Sequence, residues 1–121
     1  MATFLKKAIP RQRVTRRLLN GIVQRIVERF HPEKIILFGS RAYGTPHADS
    51  DIDLFIIMDS NLRPAQRSAA VSLACHPKAV SMDIIVRTPA EVEKRLAMSD
   101  FFIAEVLAKG QVLYDHSGRV D

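Results

Sequence analysis

Leu37-Phe38-Gly39-Ser40-Arg41-Ala42-Tyr43-Gly44-Thr45-Pro46-His47-Ala48-Asp49-Ser50-Asp51-Ile52-Asp53-Leu54 is the stretch that decides how this chain folds. Ten residues separate Ser40 from Asp51, and Asp53 lies two positions further on. Before it, Lys34 to Phe38 is short, apolar and β-prone, which predicts a first strand. Gly39-Ser40 then predicts a sharp turn into a brief helix over about 40–44, with Gly44 able to stop it. Residues 45–50 are polar loop. Residues 51–58 predict a second strand in which Ile52, Leu54, Ile56 and Met58 are all apolar. On its other face Asp51 and Asp53 give way to Phe55 and Ile57, so two acids sit at one end of an otherwise buried strand.

Strand side chains alternate, so Asp51 and Asp53 point the same way, about 7 Å apart along the backbone. Carboxylates that close repel unless a cation lies between them. Carboxylate oxygens suit Mg²⁺, or Mn²⁺, whose shells are completed by water and substrate phosphates. A third acid, Asp83, stands in a later strand-like run over 80–86, flanked by Met82 and Ile84. An acid among such neighbours is expected to be paired, protonated or metal-bound. If that third strand lies beside the second, Asp83 faces the same site, and three acids can hold two metal ions roughly 3.5–4 Å apart. Gly39 lets the backbone approach a phosphate, and the turn at Ser40 offers N–H groups and a hydroxyl. These parts suit phosphoryl or nucleotidyl transfer by positioning and electrostatics. A Gly-Ser turn alone is ordinary, and an Asp-x-Asp alone is an ordinary strand end. Their joint spacing, followed by an acid in a third strand, is what carries the reading. Arg41 either touches phosphate or braces Asp51. Asp49, Asp59 and His47 read as exposed loop residues, and His31 as a turn residue.

The remaining chain supplies support. Val14, Leu18, Ile22, Ile26 and Phe30 recur every four residues and predict an amphipathic helix over 12–30, ended by His31-Pro32. Residues 64–75 predict a helix closed by His76-Pro77, with Cys75 as a small core side chain. Thr88-Pro89 with Glu91 is a capping box opening another helix. A short helix follows over 100–108, Gly110 ends it, and 112–114 predicts an edge strand. The order α-β-α-β-α-β-α-α-β implies an α/β fold, a small mixed sheet with helices packed against it.

A chain of 121 residues is expected to form one domain, 1–121. It has no run of the roughly 18 apolar residues that a membrane span needs, and no apolar signal core. One cysteine allows no internal disulfide, which fits a reducing, cytoplasmic setting. The charge of +5 is uneven: seven Lys and Arg precede the first acid, Glu28, after which 13 acids face 11 Lys and Arg. The basic, acid-free start resembles a mitochondrial presequence, but it runs unbroken into a helix the core needs. It is either the solvated face of that helix or a docking surface for nucleic acid or an acidic partner.

At residues 37–54 the chain resembles the nucleotidyltransferase superfamily of DNA polymerase β, and within it the minimal nucleotidyltransferases encoded beside helical HEPN proteins. A weaker likeness extends over about 12–115, including Gly110-Gln-Val-Leu-Tyr114. The resemblance implies metal ligation by Asp51, Asp53 and Asp83, with Asp83 also helping to deprotonate an acceptor hydroxyl. It implies triphosphate contact at Gly39 and Ser40, and a polymerase β-like fold. Relatives often carry a basic residue where this chain has Tyr43. Larger relatives append a helical domain, so a partner chain or a homo-oligomer is expected to complete the site. The implied function is Mg²⁺-dependent transfer of AMP from ATP to a hydroxyl on a HEPN toxin, the enzyme serving as antitoxin. A non-catalytic antitoxin, or a transferase acting on RNA or a small molecule, are the alternatives.

Overall fold

The computed structural model describes residues 14–43 and 51–118. Five helices and four strands follow in the order α1 (Arg16–Phe30), β1 (Lys34–Phe38), α2 (Ser40–Tyr43), β2 (Ile52–Ile57), α3 (Pro64–Cys75), β3 (Met82–Arg87), α4 (Pro89–Ala97), α5 (Phe101–Lys109) and β4 (Gln111–Asp115) among the described residues. The strands form one mixed sheet in the order β3-β2-β1-β4. β1 runs antiparallel to both β2 and β4, while β2 and β3 are parallel and joined through α3. The α/β layer arrangement expected from the sequence is therefore present, with β4 at one edge.

Local chemistry explains where the elements stop. The Thr15 hydroxyl accepts the Leu18 N–H at 3.1 Å, so α1 starts at Arg16, later than the periodicity alone suggests. His31 takes a left-handed conformation, φ 49°, and its N–H reaches the Val27 carbonyl. Thr88 and Glu91 exchange side-chain and backbone bonds at the head of α4, as their spacing predicts. Asp100 caps α5 by accepting from Ile103 N–H at 3.1 Å, which moves that helix one residue along from 100–108. Gly110 ends α5, and there the requirement is space: a Cβ would lie 2.4 Å from Ile36 Cγ2 and from the Val106 carbonyl oxygen.

Both faces of the sheet are covered, which is why β1 and β2 read as nearly continuous apolar runs. On one face Ile35, Leu37, Ile52, Leu54, Ile56 and Val86 meet Ile22 and Ile26 of α1 and Val71 and Cys75 of α3. On the other, Ile36, Phe38, Phe55 and Ile57 meet Val92 of α4 and Ile103 and Val106 of α5. Cys75 is buried, as expected of a small core side chain. Among the described residues no helix is long and apolar enough to cross a membrane.

Candidate active site

The site is built where β1 leaves the sheet and β2 and β3 enter it. Phe38, the last residue of β1, pairs with Asp53, and Asp53 pairs with Asp83. Residues paired across neighbouring strands project to the same face, so Asp53 and Asp83 stand side by side on adjacent strands about 4.8 Å apart. Asp51 lies just before β2, two positions from Asp53, and the Ile52 N–H between them donates to the Ser81 carbonyl at 2.9 Å. This bond fixes the entry of both strands.

Gly39 is pressed against this row. Its φ is +76°, and a Cβ built there would fall 2.2 Å from Asp53 Oδ2. Only a residue without a side chain lets the turn pass so close to the carboxylate. The Gly39 carbonyl accepts from the N–H groups of Ala42 and Tyr43 at 3.0 and 3.1 Å, which winds the short α2 beginning at Ser40. Arg41 and Tyr43 belong to that helix, Tyr43 being exposed. Gly44, His47 and Asp49 lie outside the described residues.

The Asp53 carboxyl is pushed above the usual carboxylate range, first by burial, then by the charges of Asp83 and Asp51. The three acids thus share one electrostatic site. Their hard oxygen donors match Mg²⁺ or Mn²⁺ in kind. Among the described residues no three His, Cys, Asp or Glu side chains lie close enough together to grip one ion.

One expectation needs correction. Asp83 is not enclosed by its apolar neighbours but exposed, because β3 is an edge strand and its own face of the sheet is open there. It therefore needs no compensating partner in the bare protein. The third strand also begins at Met82, two residues later than its composition suggests.

Sequence reasoning missed a charged residue of a different kind. Arg67, 6% exposed, donates from Nη1 and Nη2 to the two Glu91 oxygens at 2.6 and 3.2 Å, and from Nε to the Leu62 carbonyl at 2.8 Å. The pairing with Arg67 and the Thr88 N–H hold the Glu91 carboxyl down at about 2. The signal was there: Arg67, Val71 and Cys75 recur every four residues along the buried stripe of α3.

A turn-and-carboxylate row of this kind, on a mixed sheet covered by helices on both faces, is the arrangement of a nucleotidyltransferase fold. The chain belongs to the polymerase beta nucleotidyltransferase family, whose model matches residues 20–119. Its fold is also similar to the crystal structure, at 1.40 Å, of a Sulfolobus solfataricus protein provisionally named a nucleotidyltransferase. That likeness has a TM-score of 0.62 and 21% identity, covering 87% of this chain and 84% of the other. No curated protein matches the chain in sequence.

Proposed function

We propose that the protein is an Mg²⁺-dependent nucleotidyltransferase that moves AMP from ATP to a hydroxyl acceptor. The observation that carries this is the in-register pairing of Asp53 with Asp83 beside a glycine that touches the Asp53 carboxylate. Asp51, Asp53 and Asp83 would hold the ions, which when bound supply charge neutralisation at the triphosphate. Gly39 and Ser40 receive the phosphates, with Arg41 flanking them. The acceptor hydroxyl oxygen attacks the α-phosphorus, the bond to the bridging oxygen breaks, and pyrophosphate leaves with the electron pair. Asp83, open to solvent, takes the hydroxyl proton.

The acceptor we favour is a tyrosine hydroxyl on a HEPN-type toxin, which makes this chain its antitoxin. Family likeness supports that partner, and the openness of the Asp83 edge leaves room for a macromolecular acceptor. The chain acts in this reading as one domain, in the cytoplasm. ATP labelled at the α-phosphate, incubated with Mg²⁺ and the partner, tests it. Label should move to the partner with wild type and not with Asp53→Ala. Transfer by both, or by neither, would sink the proposal.

A further inference from the structure

The carboxylate-bearing face also carries an aromatic cluster. Phe38 is the cross-strand partner of Asp53, and Phe55 lies two residues beyond Asp53, so all three side chains share one face. Phe38 and Phe55 are buried. Over them lies Phe102, from the first turn of α5. Its ring meets Phe38 edge-on, with centroids 5.5 Å apart and planes at 83°, and Phe55 at 6.4 Å and 59°. Two such contacts fix the plane of the Phe102 ring. The residue nonetheless stays 43% exposed, where α5 could have turned its buried stripe of Ile103 and Val106 alone toward the sheet.

We propose that Phe102 is the stacking platform for the base of the donor nucleotide. This rests on the nucleotidyltransferase reading and adds the residue that holds the base. Distance supports it. The aromatic cluster begins with Phe38, directly across from Asp53 at about 5 Å, and continues to Phe55 one strand repeat, about 7 Å, along β2. A nucleotide's base hangs one sugar away from its α-phosphate, and the α-phosphate belongs at the carboxylates. Chemistry supports it too: every base has a π-face, and a fixed, solvent-open ring beside a phosphate site stacks it without reading its edges. No other exposed aromatic ring among the described residues is braced this way. Tyr43 and Phe101 are exposed, but neither has a ring partner.

Calorimetric titration of the full chain with MgATP and with magnesium tripolyphosphate, which has no ring, tests the assignment. Phe102→Ala should weaken MgATP binding roughly tenfold, the scale of a lost base–aromatic stack, and leave tripolyphosphate binding unchanged. Phe102→Leu keeps an apolar side chain over Phe38 and Phe55. It should melt near wild type and still bind MgATP more weakly. The chain has no tryptophan, so Phe102→Trp introduces a single reporter. Its fluorescence should fall with MgATP and not with tripolyphosphate. Equal MgATP affinity in wild type and Phe102→Ala would overturn the proposal. So would parallel loss of both ligands, which marks a structural role, or unchanged MgATP affinity with a raised KM for acceptor, which marks the acceptor's ring. A wild-type chain that binds neither ligand refutes the parent reading instead, and this one with it.

Discussion

The parallel ladder of β2 and β3 has a carboxylate problem near each end and solves it in opposite ways. Just past the end of β3, Glu91 receives both Nη groups of the buried Arg67, and its carboxyl is held at about 2. At the head of the ladder, Asp53 has Asp83 and Asp51 as its charged neighbours, and its carboxyl is pushed up. The first arrangement is complete within the protein and ties α3 to α4 across β3. The second sets carboxylates side by side, and in the proposed reading Mg²⁺ would offset their charge. Buried charge that is paired reads as architecture; partly buried charge left facing its own kind reads as a site.

That contrast can be broken by mutation. Asp83→Ala should lower transfer by more than the roughly 10–100-fold typical of losing an outer-shell partner of a metal, with little change in melting temperature, because Asp83 is exposed on an edge strand. A rate within tenfold of wild type would remove Asp83 from the site.

Glu91→Ala should do the reverse. It strands the Arg67 guanidinium in the interior and costs about 3 kcal/mol in urea unfolding, while the properly folded fraction still binds MgATP. The pair has its own pH signature. A carboxyl whose folded pKa is depressed stabilises in full above its unfolded value, near 4.5, and loses that contribution as pH falls toward about 2. Wild type should therefore lose stability over that window more steeply than Glu91→Gln.

Gly39→Ala joins the two kinds of effect. The new methyl collides with Asp53 Oδ2 at a left-handed φ, so about 1–3 kcal/mol of stability should be lost, together with nucleotide binding. A variant as stable as wild type with intact MgATP affinity would mean the turn has other room to move.

The smallest effect is the most diagnostic. Asp53 has a raised folded pKa, so its ionisation costs stability as pH rises through the ordinary carboxylate range. In metal-free buffer Asp53→Asn should be slightly more stable than wild type at neutral pH. The advantage should vanish at acid pH, where wild type is protonated. Adding Mg²⁺ should raise the melting temperature of wild type more than that of Asp53→Asn.

Much of this was legible in the residues, and where it was not the reason is physical. The α3 boundaries, the Thr88–Glu91 capping box and the buried run of β2 follow from local preferences: proline at a first helical turn, a hydroxyl three residues before a glutamate, apolar residues on both faces. Helix α1 was drawn too long because periodicity does not mark where a hydroxyl will cap it. Asp83 was expected to be enclosed because Met82 and Ile84 flank it, but flanking residues say nothing of whether a strand lies at an edge.

By itself, then, the amino-acid order determined which segments become helix and strand, and it set Gly39, Asp51 and Asp53 at a fixed spacing along one turn and one strand. Those are properties of neighbours in the chain. The tertiary structure alone decided that Asp83 lands in register beside Asp53, that Arg67 reaches Glu91, and that Phe102 settles over Phe38 and Phe55. Each of those pairs spans many residues, and only the packing of the whole sheet brings its members within reach.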